Sequence, residues 1–156
     1  MKKKRILITA GSTIVPIDKV RVISNIFKGK TGTAIAEHFA NLGEEVTLMT
    51  SSPELVKTET KKMKVITFKT FGDLAKYMEK EITSGKYDLI IHSAAVSDYS
   101  VSGVYLRRPG NEMELIDNAR KVSSRHEELY IKTVPTVKLV DLIKKLWGFK
   151  GKLVKF

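Results

Sequence analysis

The chain has 156 residues, 42% hydrophobic and 29% charged, and this composition excludes an intrinsically disordered protein. It contains no cysteine, which excludes a disulfide framework, a Cys-ligated zinc site and a thiol nucleophile. Lysine and arginine number 28 against 17 acidic residues, so the formal net charge is +11 at pH 7. The apolar runs are far shorter than the about 20 residues that a membrane span needs. We expect one cytoplasmic domain over residues 1–156, with no membrane partner.

Apolar periodicity predicts strands that alternate with helices along most of the chain. Short apolar or alternating runs predict strands at 5–10, 46–49, 63–68, 88–92, 128–134 and 152–156. Apolar residues at helical spacing predict helices at 31–42, 71–82 and 136–147. This alternation predicts a Rossmann-like three-layer α/β fold, with a mostly parallel sheet and helices on both faces. Residues from about 99 to 127 lack periodicity, and we expect a flexible excursion there.

The connection between the first strand and the first helix is about twenty residues long, whereas two to six are typical. It ends in Lys28-Gly29-Lys30-Thr31-Gly32, at the predicted start of the helix. Glycines let the backbone approach a ligand, while exposed N–H groups and the helix dipole favour an anion. The spacing matches neither a Walker P-loop nor a dinucleotide-binding glycine motif. The segment therefore predicts an anion site, and a plain helix-capping turn is the alternative.

Three segments of the chain form an ordered set of motifs. The first comprises ITAGST at 8–13, PIDKVRVISN at 16–25 and GKTG at 29–32. The second is AAVSDY at 94–99, and the third is KVSS at 121–124 followed by EELYI at 127–131. In order and spacing, these motifs resemble the phosphopantothenate–cysteine ligase (phosphopantothenoylcysteine synthetase) family over nearly the whole chain.

The resemblance implies a ligase that joins 4'-phosphopantothenate to cysteine in coenzyme A biosynthesis. CTP (or ATP), accompanied by Mg²⁺, would activate the pantothenate carboxylate as an acyl-nucleotidyl intermediate and release pyrophosphate. The cysteine amine would then attack the acyl group. The resemblance also implies a homodimer. Family ligases continue well past residue 156, so we expect a chain truncated relative to the family, and a second chain that completes the site is possible.

The resemblance assigns site residues one by one. Asn25 and Lys121 match catalytic residues, and Arg21 and Asn25 are assigned to the substrate. Phe27-Lys28 replaces the family's serine pair before Gly29, which removes two hydroxyl donors and adds a cation. The predicted nucleotide contacts are Gly11, Ser12, Lys28, Gly29, Lys30, Gly32, Ser93, Ala94, Ala95, Asp98, Lys121, Val137, Lys138, Leu139, Val140 and Phe156.

The histidines do not predict a metal site. No pair of them has the i, i+4 spacing of a zinc-binding helix, so we expect no metal held by the protein. His38 is expected on a helix surface and His126 in the excursion. His92 ends a predicted strand directly before the AAVSDY motif, where it is placed to contact a ligand.

Three other functions remain as alternatives. The chain could be a nucleotide-binding fragment without catalytic activity. An NAD(P)-dependent oxidoreductase is disfavoured because Met49-Thr50, rather than an acidic residue, ends the second strand. The charge of +11 raises the alternative of a nucleic-acid-binding protein. However, the lysines are scattered and not interleaved with aromatic residues, so we expect no nucleic-acid partner.

Overall fold

The computed structural model describes residues 2–57, 61 and 63–156, and its centre is a five-stranded sheet. Ten strands and three helices alternate along the described chain, with a short 3₁₀ turn at Pro53–Leu55. The strands are β1 (Arg5–Ala10), β2 (Ile14–Pro16), β3 (Val22–Ser24), β4 (Glu45–Thr50), β5 (Met63–Thr67), β6 (Leu89–His92), β7 (Tyr99–Arg107), β8 (Met113–Ile116), β9 (Tyr130–Pro135) and β10 (Lys152–Lys155). The helices are α1 (Lys30–Asn41), α2 (Phe71–Thr83) and α3 (Leu139–Lys145).

The main sheet has the order β10-β6-β1-β4-β5, and all of its neighbouring strands are parallel. Alternate residues of β1 face opposite sides, as the pleat of a strand requires. Ile6 and Ile8 pack with α1 on one face, whereas Leu7 packs with α2 and α3 on the other. The predicted α/β fold, with a parallel sheet and helices on both faces, is therefore confirmed.

Helix α1 turns a face of small residues toward the sheet. Its buried residues are Gly32, Thr33, Ala36 and Ala40, whereas Leu42, the last residue of the predicted helix, is its C-cap and is 65% exposed. Helix α3 is also shorter than the predicted 136–147, because it begins only at Leu139. The three predicted helices thus exist, but α1 ends one residue earlier than predicted and α3 is shorter at both ends.

Regular structure extends into the segment from 99 to 127 that we expected to be an irregular excursion. Strands β7 and β8 lie within it and form a second, antiparallel sheet with β9, in the order β8-β7-β9. The expectation was wrong for these strands because Ser102 and Gly103 interrupt the apolar alternation of β7. At the same place, between Val101 and Gly103, the pairing of β7 with β9 shifts its register. The long connection after β1 likewise contains the β2–β3 hairpin.

Candidate nucleotide-binding cleft

An open cleft of about 710 Å³ lies where β1 and β6 end, at the carboxyl edge of the parallel sheet. Ligands of open α/β sheets characteristically bind in the crevice outside this edge. The cleft contains eight of the predicted nucleotide contacts together with four residues that we did not predict. Its lining consists of Gly11, Ile26, Phe27, Lys28, Gly29, Lys30, Thr31, Gly32, Leu55, Ser93, Ala95 and Phe156.

Glycine is required at three positions in this cleft because the backbone segments are in close contact. Gly11 and Gly29 both have positive φ, of 87° and 83°. A Cβ on Gly29 would lie 2.0 Å from the Gly11 amide nitrogen, and a Cβ on Gly32 would lie 2.3 Å from the Ser93 hydroxyl. The glycines therefore bring the start of α1 directly against the ends of β1 and β6.

The N-terminus of α1 carries unsatisfied positive polarity. Its N-cap is Gly29, which offers no side-chain acceptor, and no acidic residue stands in the first turn. By contrast, the N-terminus of α2 is closed by a capping box between Thr70 and Asp73. The first amides of a helix need acceptors and the helix dipole favours negative charge there, so the polarity of this end of α1 suits an anion.

Apolar side chains form the rim of the same cleft. Ile26 is 87% exposed, Phe27 is 70% exposed and Phe156 is 80% exposed, and Leu55 follows the neighbouring strand β4. We had predicted only Phe156 among them. The consecutive apolar pair directly before Lys28-Gly29 was the available signal for Ile26 and Phe27, since a contiguous exposed apolar patch often marks a binding site.

Asn25 lies where the loop after β3 meets the segment after β6. Its side-chain amide donates to the Ala95 carbonyl at 3.3 Å. The backbone carbonyl of Asn25 accepts from the hydroxyls of Ser12 and Ser24. Ser12 and Ala95 pair as an isolated parallel bridge that extends the β1–β6 pairing. The structure thus brings the predicted residues Ser12, Asn25 and Ala95 together beside the cleft.

His92 lies buried beneath the cleft rather than in its lining. Its Nδ1 is 2.8 Å from the Thr9 hydroxyl, which also accepts a hydrogen bond from the Ala94 amide. Ser93 donates its hydroxyl to the Thr9 carbonyl. Burial lowers the pKa of His92 to about 4, so its imidazole is neutral at pH 7. The residue supports the floor of the cleft instead of contacting its contents.

Arg21 and Lys121 lie together, outside the residues that line the cleft. The Arg21 guanidinium pairs with Asp18 at 2.5 Å and donates to the Val122 carbonyl at 2.8 Å. This network connects the loop before β3 to the segment that carries Lys121, whose side chain is exposed.

The remaining predicted nucleotide contacts lie after β6 and around the start of α3, outside the cleft lining. Asp98 is exposed, and its carbonyl accepts from the Thr136 amide. Val137 lines a separate depression beside β2 and β7, and Lys138 is the N-cap of α3. Leu139 lies in the hydrophobic core and Val140 packs against it, so these two side chains stabilise the sheet–helix interface.

Within residues 2–57, 61 and 63–156, no three His, Asp or Glu side chains gather as a metal site. Over the same part of the chain, no helix is long and apolar enough to cross a membrane.

Comparison with known proteins agrees with this fold. The family described as the DNA/pantothenate metabolism flavoprotein C-terminal domain matches residues 1–116. The coenzyme A biosynthesis bifunctional protein CoaBC of Thermococcus kodakarensis is 34% identical over 149 residues, covering 94% of this chain and 32% of that protein. The solved DNA/pantothenate metabolism flavoprotein from Streptococcus pneumoniae has a TM-score of 0.83 at 27% identity, covering 96% of this chain and 67% of that one.

A solved C-terminal domain of CoaBC is also similar, with a TM-score of 0.69 at 26% identity over 98% of this chain and 63% of that domain. The chain spans about a third of the length of the curated relatives that it matches first. Because the family match covers 116 of 156 residues, the chain belongs to the DNA/pantothenate metabolism flavoprotein C-terminal domain family.

Proposed function

We propose that the cleft binds the triphosphate of a nucleotide. The observation that carries this proposal is the uncapped N-terminus of α1, which opens into the cleft between Lys28 and Lys30. Backbone N–H groups, the helix dipole and two ammonium groups together form a site for several negative charges. The exposed rings of Phe27 and Phe156 offer apolar surface for the base.

We further propose that this site serves the phosphopantothenate–cysteine ligase reaction of coenzyme A biosynthesis. The nucleotide, CTP or ATP, would activate the phosphopantothenate carboxylate, and the cysteine amine would then displace the nucleoside monophosphate. Mg²⁺ prefers oxygen ligands, which the triphosphate itself supplies. The names of the CoaBC relatives and the family match support this assignment.

Asn25 and Lys121 have distinct roles in this proposal. The Asn25 amide would exchange its contact with the Ala95 carbonyl for the oxygens of the acyl-nucleotidyl group, where a donor stabilises developing negative charge. Lys121 would reach the triphosphate from the segment held by Arg21. Both roles come from the family resemblance, and the position of Asn25 beside the cleft supports the first of them.

Calorimetric titration with CTP and Mg²⁺ tests nucleotide binding, with ATP as the competing nucleotide. We expect saturable binding to the wild-type chain and a loss of at least about tenfold in affinity in the K28Q/K30Q double variant, because charge-assisted hydrogen bonds are lost. The matched control is K144Q/K145Q, which removes two lysines from the last turn of α3. Equal affinities in these two double variants would refute binding at the N-terminus of α1.

Pyrophosphate release tests the reaction separately from binding. We expect release from CTP that depends on added phosphopantothenate. Binding without release would support the nucleotide site and contradict turnover by this chain alone, in favour of a fragment that needs a second chain. The homodimer, the cytoplasmic location and the use of CTP rather than ATP stay predictions of the family resemblance.

A further inference from the structure

Asp18 is a buried carboxylate that accepts hydrogen bonds from two distant parts of the chain. Its residue is only 7% exposed. Oδ1 accepts from the backbone amides of Val20 and Arg21, each at 2.9 Å. Oδ2 accepts from the Arg21 guanidinium and, at 3.0 Å, from the backbone amide of Val122, which is 104 residues away. One side chain thus joins the loop before β3 to the segment before β9.

Two more hydrogen bonds hold the same pair of segments. Arg21 Nη2 donates to the Val122 carbonyl at 2.8 Å, and the Asn118 amide donates to the Ile17 carbonyl at 2.8 Å. Val122 is itself buried, whereas its neighbour Lys121 is exposed. The backbone on one side of Lys121 is therefore fixed while its ammonium group remains available to a ligand.

The ionised form of the carboxylate is essential to this arrangement. The Arg21 guanidinium, together with the backbone amides, holds the pKa of Asp18 well below its usual range. Every partner of Asp18 is a donor, and both of its oxygens are occupied. An asparagine at this position would direct an NH₂ group toward one set of these donors, so it would break one half of the arrangement while keeping its volume.

We propose that Asp18 is a positioning residue that holds the segment 118–122 so that Lys121 reaches the triphosphate in the cleft. This inference rests on the proposed function, in which Lys121 contacts the nucleotide. The loop that Asp18 occupies runs directly into β3 and Asn25, so a single buried carboxylate ties the Lys121 segment to the loop that enters the cleft. Nucleotide affinity should therefore depend on Asp18 through Lys121.

A double-mutant cycle tests this dependence, with CTP affinity measured for the wild type, D18N, K121Q and D18N/K121Q. We expect each single variant to weaken CTP binding about tenfold, as for one lost charge-assisted hydrogen bond. We expect the double variant to bind no more weakly than K121Q, because the two residues act through the same contact. Hydrogen exchange at the Val122 amide should also accelerate in D18N.

The matched control is D88N, which removes the carboxylate that accepts from the Arg5 amide at the opposite edge of the sheet. D88N should retain wild-type CTP affinity and wild-type exchange at Val122. If D18N proves unfolded by circular dichroism, D18E replaces it in the cycle, since it keeps the negative charge but moves the carboxylate away from the Val122 amide.

The outcomes separate this inference from the proposed function. If the wild type binds CTP and K121Q weakens it, but D18N (or D18E) binds as the wild type does, the positioning role is overturned and the proposed function stands. Additive losses in the double variant also overturn it, because Asp18 would then act independently of Lys121. If the wild type binds neither CTP nor ATP, the proposed function and this inference fall together, even if Val122 exchange confirms the tether.

Discussion

The buried imidazole of His92 predicts that the protein loses stability in mild acid. Burial lowers its pKa to about 4 in the folded chain, whereas an unfolded histidine titrates near 6.5. As the pH falls below 6.5, the unfolded chain takes up a proton that the folded chain refuses, so the free energy of unfolding decreases. The loss begins near pH 6.5 and is complete only below about pH 4.

The magnitude follows from the separation of the two pKa values. A pH of 5 is 1.5 units below the pKa of the unfolded histidine, so the unfolded imidazole is protonated, while the folded one remains mostly neutral. Each unit corresponds to about 1.4 kcal/mol, so the free energy of unfolding should fall by about 2 kcal/mol between pH 7 and pH 5. The carboxylates with lowered pKa values, such as Asp18 and Glu81, stay ionised over this range and do not contribute.

Urea unfolding at pH 7, 6 and 5 measures this loss for the wild type and for H92N. Asparagine keeps a polar atom near the position of Nδ1 for the Thr9 hydroxyl but does not titrate, so H92N should be less stable at pH 7 yet almost independent of pH. H38N is the matched control, since His38 is exposed on α1. Equal pH dependence in the wild type and H92N would refute the reasoning.

Two further substitutions test the start of α1. Gly32→Ala should destabilise the chain by about 1–3 kcal/mol, because its Cβ would meet the Ser93 hydroxyl. As the control, Gly72→Ala lies in the first turn of α2, clear of neighbours, and should stabilise the protein by up to about 1 kcal/mol. If urea unfolding ranks the two variants the other way, the packing argument is contradicted. Lys30→Glu should raise the free energy of unfolding by about 0.5 kcal/mol while weakening CTP binding, and a variant that both destabilises and keeps its affinity would contradict the anion site.

The main sheet could be predicted because its strands are short apolar runs that leave few alternatives. β1 and β6 are buried on both faces, so their sequences read as continuous apolar segments. β7 could not be predicted, because it is half exposed, contains Gly103 and pairs across a register shift. Its partner β9 lies 23 residues beyond its end, and local periodicity contains no information about so distant a pairing.

The residues of the cleft could be predicted only in part, because some are marked by local sequence and others depend on tertiary packing. Gly29 and Gly32 could be predicted because glycines at a helix start indicate either an anion site or a capping turn, and the structure places both residues in the cleft lining. The segment 137–140 was assigned by resemblance alone, and the structure buries Leu139 in the core, outside the cleft lining. Ile26 and Phe27 were not predicted to line the cleft, because whether an apolar loop residue faces a cleft depends on tertiary packing.

The distribution of ion pairs gives the net charge of +11 a more specific meaning. Among the described residues, Lys64 and Lys86 both form ion pairs with Glu81. Burial acts to raise the pKa of Glu81, but the hydrogen bonds from Lys64, Lys86 and Tyr87 lower this pKa to about 2. Lys28 and Lys30 stand instead at the N-terminus of a helix, where the dipole disfavours a positive charge and no acidic side chain occupies the first turn. This arrangement costs stability in the free protein, and an anion bound as we propose would offset that cost, so Lys28 and Lys30 stand where they favour the proposed ligand at the expense of the fold.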